Sequence, residues 1–286
     1  MKIGLFAINF GTCGNPASAI RVAQAAEAAG FESVWTGEHI VLPDPAIPAF
    51  PLATETPMLD TTVALTWIAA HTKRLRLASG IIILVLLRNP AVLAKELASI
   101  DAVSGGRLII AVGAGWLEPE FLALGVPMER RGERMEDTLR VMRALWTMEH
   151  PEHHGPFVSF SKVAAYPRPV QRPMPPIVIG GESPAALGRA ITMGNGWYGF
   201  ALTVEQAKER IASLKREAEQ HQRPAELGEL EISVTSIGRF DERSVEGFAA
   251  AGVHRLVVLP KLHATHAERH TPVALDEILR NIETVK

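Results

Sequence analysis

The sequence predicts one α/β domain, a (β/α)8 TIM barrel. Short runs rich in Ile, Val and Leu alternate with segments of helical period, such units number eight, and the runs are continuously apolar. Strands of that kind are covered on both faces, the condition of a parallel sheet wrapped by helices. Eight βα units with right-handed crossovers close into a barrel. A length of 286 residues allows two domains of about 150 or one barrel of about 250; the strand count favours a single domain over 1–286. The competing doubly wound sheet lacks its dinucleotide fingerprint, because Gly113 and Gly115 follow a strand but Glu118 stands at the third glycine position.

Residues 3–8 read as the first strand, and the helix over 16–29 starts at Pro16 and stops at Gly30 as its C-cap. A second strand covers 33–36, and Asp60 caps a helix running to His71. Residues 75–84 form the third strand, Pro90 opens a helix to Val103, and Ser104-Gly105-Gly106 ends it. The fourth strand is 108–112, followed by helices at 118–124 and 134–149. Then come strand 177–179 with helix 184–193, a short strand near Trp197 with helix 204–220, strand 230–237 with helix 245–251, and strand 256–259 with helix 275–282. Two connections exceed the usual length and are rich in proline. Residues 40–59 carry Pro43, Pro45, Pro48, Pro51 and Pro57 and leave the C-terminal end of strand 2; residues 150–176 carry seven prolines and hold a candidate hairpin around 157–160. Long loops in compact domains are commonly lids, so both segments are read as insertions or lids over the barrel mouth.

Composition excludes several classes. With 29 basic and 31 acidic residues the net charge is −2, which removes the basic footprint of a nucleic-acid binder. The longest apolar run near the middle, 78–87, ends at Arg88, short of the roughly 20 residues a membrane helix needs. The apolar start 3–8 ends at Asn9, too short for a signal sequence, and a cytoplasmic protein is expected. One cysteine, Cys13, allows neither an intrachain disulfide nor a thiolate zinc cage. A nucleophilic role for Cys13 lacks a positioned base, and a buried thiol is the simpler reading.

Barrel sites are built where strands end. Glu38-His39 follows strand 2; the imidazole is either an acid, base or hydrogen-bond donor to a ligand, or half of a polar pair opening a loop. Gly113, Gly115 and Trp116 follow strand 4, where bare backbone and an indole suit a planar ligand and equally suit a plain turn. Gly180-Gly181-Glu182-Ser183 leads to Pro184, and a helix start of this kind offers free N–H groups and a dipole to a phosphate. His263, His266 and His270 have helical spacing and, with His39, raise the alternative of a metal-dependent barrel hydrolase, although the one carboxylate beside them, Glu268, falls on another side of such a helix. Arg130, Arg131 and Arg134 read as a solvated basic run.

These motifs carry a family resemblance. AEAAGFESVWTGEH at 26–39, the long stretch 75–116 ending RLIIAVGAGW, ALGVPMERRGER at 123–134, PPIVIGGESPAALGRA at 175–190 and GNGW at 194–197 resemble, in the same order, the bacterial luciferase-like superfamily of flavin- and deazaflavin-dependent oxidoreductases. The resemblance implies a (β/α)8 barrel that binds reduced FMN or the 8-hydroxy-5-deazaflavin coenzyme and acts on a small organic substrate. It implies a catalytic corner at Glu38 and His39, and a backbone bulge under the flavin ring around Ser79, Gly80 and Ile81, which in many relatives includes a non-prolyl cis peptide. It further implies a pocket wall at Gly113, Gly115 and Trp116, and a phosphate turn at Gly180, Gly181, Glu182 and Ser183. No metal is implied. A separate flavin or deazaflavin reductase and a homo-oligomer are expected, and a non-catalytic flavin-binding barrel is the alternative within the superfamily. Two departures stand out: Val85-Leu86-Leu87 replaces a segment that often holds proline and is one residue longer, and Trp116 stands where sugar-phosphate-oxidising relatives carry an acid, so neither that acid nor that substrate carries over.

Overall fold

Eight parallel staves close into a ring. In chain order the elements are β1 (Lys2–Leu5), α1 (Pro16–Ala29), β2 (Ser33–Trp35), α2 (Thr61–His71), β3 (Arg76–Ala78), β4 (Ile82–Ile83), α3 (Pro90–Ser104), β5 (Leu108–Gly113), α4 (Glu118–Ala123) and α5 (Arg131–Thr147). They continue with β6 (His153–His154), β7 (Ser159–Phe160), β8 (Ile177–Gly180), α6 (Pro184–Met193), β9 (Gly196–Leu202), α7 (Val204–Gln220), β10 (Glu231–Ser236), α8 (Glu242–Ala250), β11 (Arg255–Val258) and α9 (Leu275–Glu283). The computed structural model describes all residues except 48, 49, 51, 84, 86–88, 238, 239, 260–273 and 284–286. Neighbours run β3-β2-β1-β11-β10-β9-β8-β5, and β3 pairs with β5 to shut the barrel. The expected TIM barrel is therefore the fold.

Alternation along each strand separates two cores. Val34, Leu77, Ile110, Ile177, Ile179, Leu256 and Val258 face outward into the layer shared with the helices. Trp35, Ala78, Ile109, Ala111, Val178, Tyr198 and Val257 face the barrel interior. Trp35 and Tyr198 stack there with centroids 5.0 Å apart and planes 14° apart, while small alanines on neighbouring staves make room for them, as a filled barrel requires. The Tyr198 hydroxyl lies 2.5 Å from Thr235 Oγ1, so the buried phenol has a partner, and burial raises its pKa.

The N-terminal end of the barrel is sealed by charge. Arg255, 1% exposed, donates Nε to Glu32 Oε2 at 2.9 Å and Nη2 to Glu32 Oε1 at 3.0 Å. It also donates to Glu231 and to Ser233 Oγ, and Lys2 reaches Glu231 from the rim. Burial alone would raise both carboxyls; the hydrogen bonds and charge of Arg255 prevail, with Lys2 adding at Glu231, and both end below the usual carboxylate range.

Local signals explain the helix starts. Asn15, Asp60, Asn89 and Ser183 each cap with the side chain, and Pro16, Pro90 and Pro184 occupy the first turn behind three of them. Three expectations need correction. The predicted strand 75–84 is two strands, interrupted where the Gly80–Ile81 peptide is cis. Across the gap the Ser79 hydroxyl takes over ladder bonding, donating to Ala111 O at 2.9 Å and accepting from Ala111 N–H at 2.8 Å. The predicted helix 134–149 runs Arg131–Thr147, entered through Arg130 at φ 55° with no side-chain cap to announce it. The predicted helix 245–251 runs Glu242–Ala250, because Asp241 and Ser244 form a capping box upstream of the apolar residues.

The proline-rich segments are fastened differently. β6 and β7 form the expected hairpin, but its contacts are with the flank of α5. The buried Asp137 carboxylate accepts the Phe157 and Val158 N–H groups and meets His153 Nε2 at 2.7 Å, and Arg130 and Arg134 lie over the Phe157 ring. Segment 40–59 instead folds across the ends of β1 and β2. Buried Asn9 donates Nδ2 to both Gly37 O and Leu59 O and accepts the Gly37 N–H, while its backbone carbonyl accepts the Leu59 N–H.

Candidate active site at the C-terminal rim

The strand ends carry two groups of aromatic side chains, one of them beside a polar pair. Phe6, just past β1, lies 5.8 Å from Phe10 and 5.2 Å from Phe200 at the end of β9. Phe50, from segment 40–59, meets the His39 ring edge-on at 4.8 Å and lies 6.1 Å from Trp116. Trp116 is half exposed, so its indole remains open to a ligand. Aromatic side chains of this kind suit a planar, mostly apolar molecule.

His39 is positioned from three directions. Its backbone N–H points to Met58 Sδ at 3.2 Å, Phe50 covers one side, and Nδ1 lies 3.1 Å from Glu120 Oε2. Glu120 sits in α4 after β5, its side chain fully buried, and its Oε1 accepts the Ile40 N–H at 2.5 Å. Both carboxylate oxygens thus hold the corner that carries the imidazole. The neighbouring Glu38, also buried, turns elsewhere: its Oε2 accepts the Ile83 N–H at 2.8 Å and braces β4 beyond the cis peptide. The adjacent Glu38-His39 pair is therefore divided between two tasks.

The expected cofactor residues fall into two groups. Ser79 is fully buried with its hydroxyl engaged by β5. Gly80 is required for packing, since a Cβ there would stand 2.8 Å from Thr36 O. The Ile81 side chain fills the room over Gly113 and Gly180, where added Cβ atoms would come within 3.1 and 2.1 Å of it. Gly115 (φ 79°) leaves space for Ile83 and Phe121. Strands 3, 5 and 8 thus meet under the mouth through Ile81. The turn after β8 is open instead: Gly181 (φ 115°), Glu182 and Ser183 are exposed, Ser183 Oγ accepts the Ala186 N–H at 3.2 Å, and Glu182 pairs with Arg210. Arg131, expected in a solvated run, donates Nε to Gly115 O at 3.2 Å.

Glu120 was not legible as a site residue, because it meets His39 only through the barrel; the one local signal is an acidic residue on the short helix after the Gly115 turn. Cys13 is buried, and burial pushes its thiol up to about 12, which fits the reading of an unreactive core cysteine. Among the described residues no group of three or more His, Cys, Asp or Glu side chains is arranged to hold a metal; His263, His266 and His270 lie outside the described residues. No described helix is long and apolar enough to cross a membrane.

A closed (β/α)8 barrel with an aromatic rim site around one imidazole–carboxylate pair is the class that fold and geometry define. The chain belongs to the luciferase-like monooxygenase family, whose pattern it matches over residues 1–270. It is 29% identical over 272 residues to the uncharacterized protein Rv0940c of Mycobacterium tuberculosis, covering 92% of this chain and 91% of that one. It is 33% identical over 143 residues to an FMNH2-dependent dimethylsulfone monooxygenase of Pseudomonas putida, covering 49% of this chain and 39% of that one. The fold superposes with a TM-score of 0.77 on an F420-dependent secondary alcohol dehydrogenase solved with an F420–acetone adduct, at 18% identity over 100% of this chain and 99% of that one.

Proposed function

We propose that the protein is an oxidoreductase that uses reduced FMN or the 8-hydroxy-5-deazaflavin coenzyme to transform a small, largely apolar organic molecule. The observation that carries this reading is His39, held by buried Glu120 at the foot of an aromatic mouth in a chain of this family. The residues present fit such a cofactor in two ways. A planar ring suits the paired side chains of Trp116 and Phe50. A phosphate suits the exposed turn 181–183 at the start of α6, where Pro184 brings no N–H and Ser183 takes that of Ala186, so the donors would be the backbone of the turn itself and Ala185. When bound, reduced FMN would supply two electrons to molecular oxygen, one atom of which enters the substrate while the other leaves as water, whereas the deazaflavin would supply hydride.

The chain's own residues then have distinct tasks. Trp116 and Phe50 orient and desolvate the substrate, with segment 40–59 acting as the lid. His39 moves a proton at the substrate's reacting atom, and Glu38 holds the β4 bulge in place. Because a reduced flavin is consumed as a reagent, a separate flavin or deazaflavin reductase would renew it. A homo-oligomer is also proposed. The outer face of α2 and α3 exposes Val63, Trp67 and Val103 beside a groove of about 810 Å³ lined by Leu59, Thr66, Ala70 and Ile100, and an apolar patch of this kind marks an association surface. Light scattering on the purified protein tests it; a monomer at micromolar concentration would overturn it.

The deciding experiment reconstitutes the protein with each reduced cofactor in turn and follows absorbance and oxygen uptake with a panel of small apolar substrates. Turnover with one cofactor is expected. Binding without turnover on any substrate would favour a non-catalytic flavin-binding barrel, and a stoichiometric transition metal in the purified protein would favour a hydrolase. Full turnover in His39→Ala would remove His39 from the mechanism.

A further inference from the structure

We propose that Glu120 is a positioning residue that fixes the tautomer of His39, holding the proton on Nδ1 so that the Nε2 lone pair faces the reacting molecule. The argument concerns this chain's own hydrogen bonds; its use in turnover rests on the proposed role of His39.

Glu120 has a fully buried side chain that meets two partners, His39 Nδ1 at 3.1 Å and the Ile40 N–H at 2.5 Å. An ionised carboxylate only accepts hydrogen bonds. The backbone N–H fixes one oxygen, and the other can bind the imidazole only if Nδ1 carries hydrogen. A neutral imidazole has one N–H, so Nε2 is left as the basic nitrogen. A proton leaving the substrate would lodge on Nε2, and the imidazolium formed would face a carboxylate already in contact with it. This is the logic by which a buried carboxylate orients a catalytic histidine on unrelated folds. Sequence adjacency suggests Glu38 for the task, but Glu38 is turned to the Ile83 N–H. The working carboxylate comes from α4, on the far side of the third stave.

Glu120→Gln makes a sharp test. A glutamine offers one oxygen in place of two. The Ile40 N–H cannot surrender its proton, whereas the imidazole can move its own from one nitrogen to the other. The amide oxygen is therefore expected to stay on Ile40, its NH2 group to face Nδ1, and His39 to switch to the Nε2–H tautomer.

The experiment is nitrogen NMR on protein labelled at histidine with nitrogen-15 and free of cofactor, with His39→Gln identifying the His39 signals. The wild type is expected to show a hydrogen-bearing Nδ1 and a bare Nε2, Glu120→Gln the reverse, and Glu38→Gln the wild-type pattern. A wild-type Nε2–H tautomer, or a Glu120→Gln spectrum like the wild type, would overturn the proposal. The wild-type spectrum decides it by itself if the variant does not fold. In the reconstituted enzyme Glu120→Gln should lower kcat by about 10²- to 10⁴-fold, with partial recovery in Glu120→Asp. If the tautomer inverts while His39→Gln turns over normally, Glu120's positioning role stands and the catalytic role of His39 falls.

Discussion

The two ends of the barrel solve opposite problems with similar residue types. At the N-terminal end Arg255, Glu32, Glu231 and Lys2 form a network in which every carboxylate meets a fixed cation. At the C-terminal end one carboxylate and one imidazole sit inside an aromatic wall, with both carboxylate oxygens on a single corner of backbone and ring. Charge at the first end neutralises itself and plugs the barrel. At the second it lies beside Phe50 and the half-exposed Trp116, with no fixed cation to neutralise it among the described contacts of Glu120. The difference follows the division of labour in barrels, with stability at the bottom and chemistry at the top.

Three measurements would break or sharpen that contrast. The largest effect is expected from Arg255→Met. Removing a buried cation and leaving its partners costs about 3–5 kcal/mol; because Glu32 and Glu231 keep side-chain exposures of 26% and 29%, solvent relieves part of this and a loss near 3 kcal/mol is expected in urea unfolding. Turnover of the molecules still folded should be unaltered, and a variant as stable as the wild type would show that the plug is ornamental. Next comes acid. Glu32 and Glu231 are depressed in the folded state, so their contribution is full above the unfolded carboxyl value of about 4.3 and fades as pH falls through the lower folded values. Stability of the wild type should therefore decline below about pH 4.5, with a flatter decline in Arg255→Met; parallel curves would remove the network as the cause. The smallest effect belongs to the other rim. Trp116→Ala removes a half-exposed ring and should raise KM by several-fold, worth about 1 kcal/mol, without moving the melting temperature. A matching loss of stability would make Trp116 a packing residue like those of the plug.

The scaffold and His39 could be read from the sequence; the plug of Arg255 with Glu32 and Glu231, and Glu120, could not, and the unread part has a physical character of its own. Helices at Pro16, Asp60, Pro90 and Pro184 were legible because capping is decided within four residues. The start at Asp241 carried the same signal, in a capping box the apolar pattern had masked. His39 was legible by its place after a strand. Its partner Glu120 was not, since 81 positions separate them and only barrel closure brings them together. The same holds for Ile81, whose side chain occupies the space that the sequence alone assigns, at glycines 113 and 180, to a ligand. Local grammar writes the scaffold; the site is written in contacts between staves.

Asn9 carries one more consequence. A single buried side chain holds Gly37 and Leu59, the two feet of segment 40–59. Closing a loop costs entropy that grows only slowly with its length, and here Asn9 closes it from below while Thr54 Oγ1, donating to Pro43 O, closes it from within. The segment is also tied at Ile40 to Glu120 and at Met58 and Phe50 to His39, so its two ends are fixed to the barrel rim. Between those ties its length is free to vary at little entropic cost, whereas Phe50 and Met58, which touch His39, are held to their places.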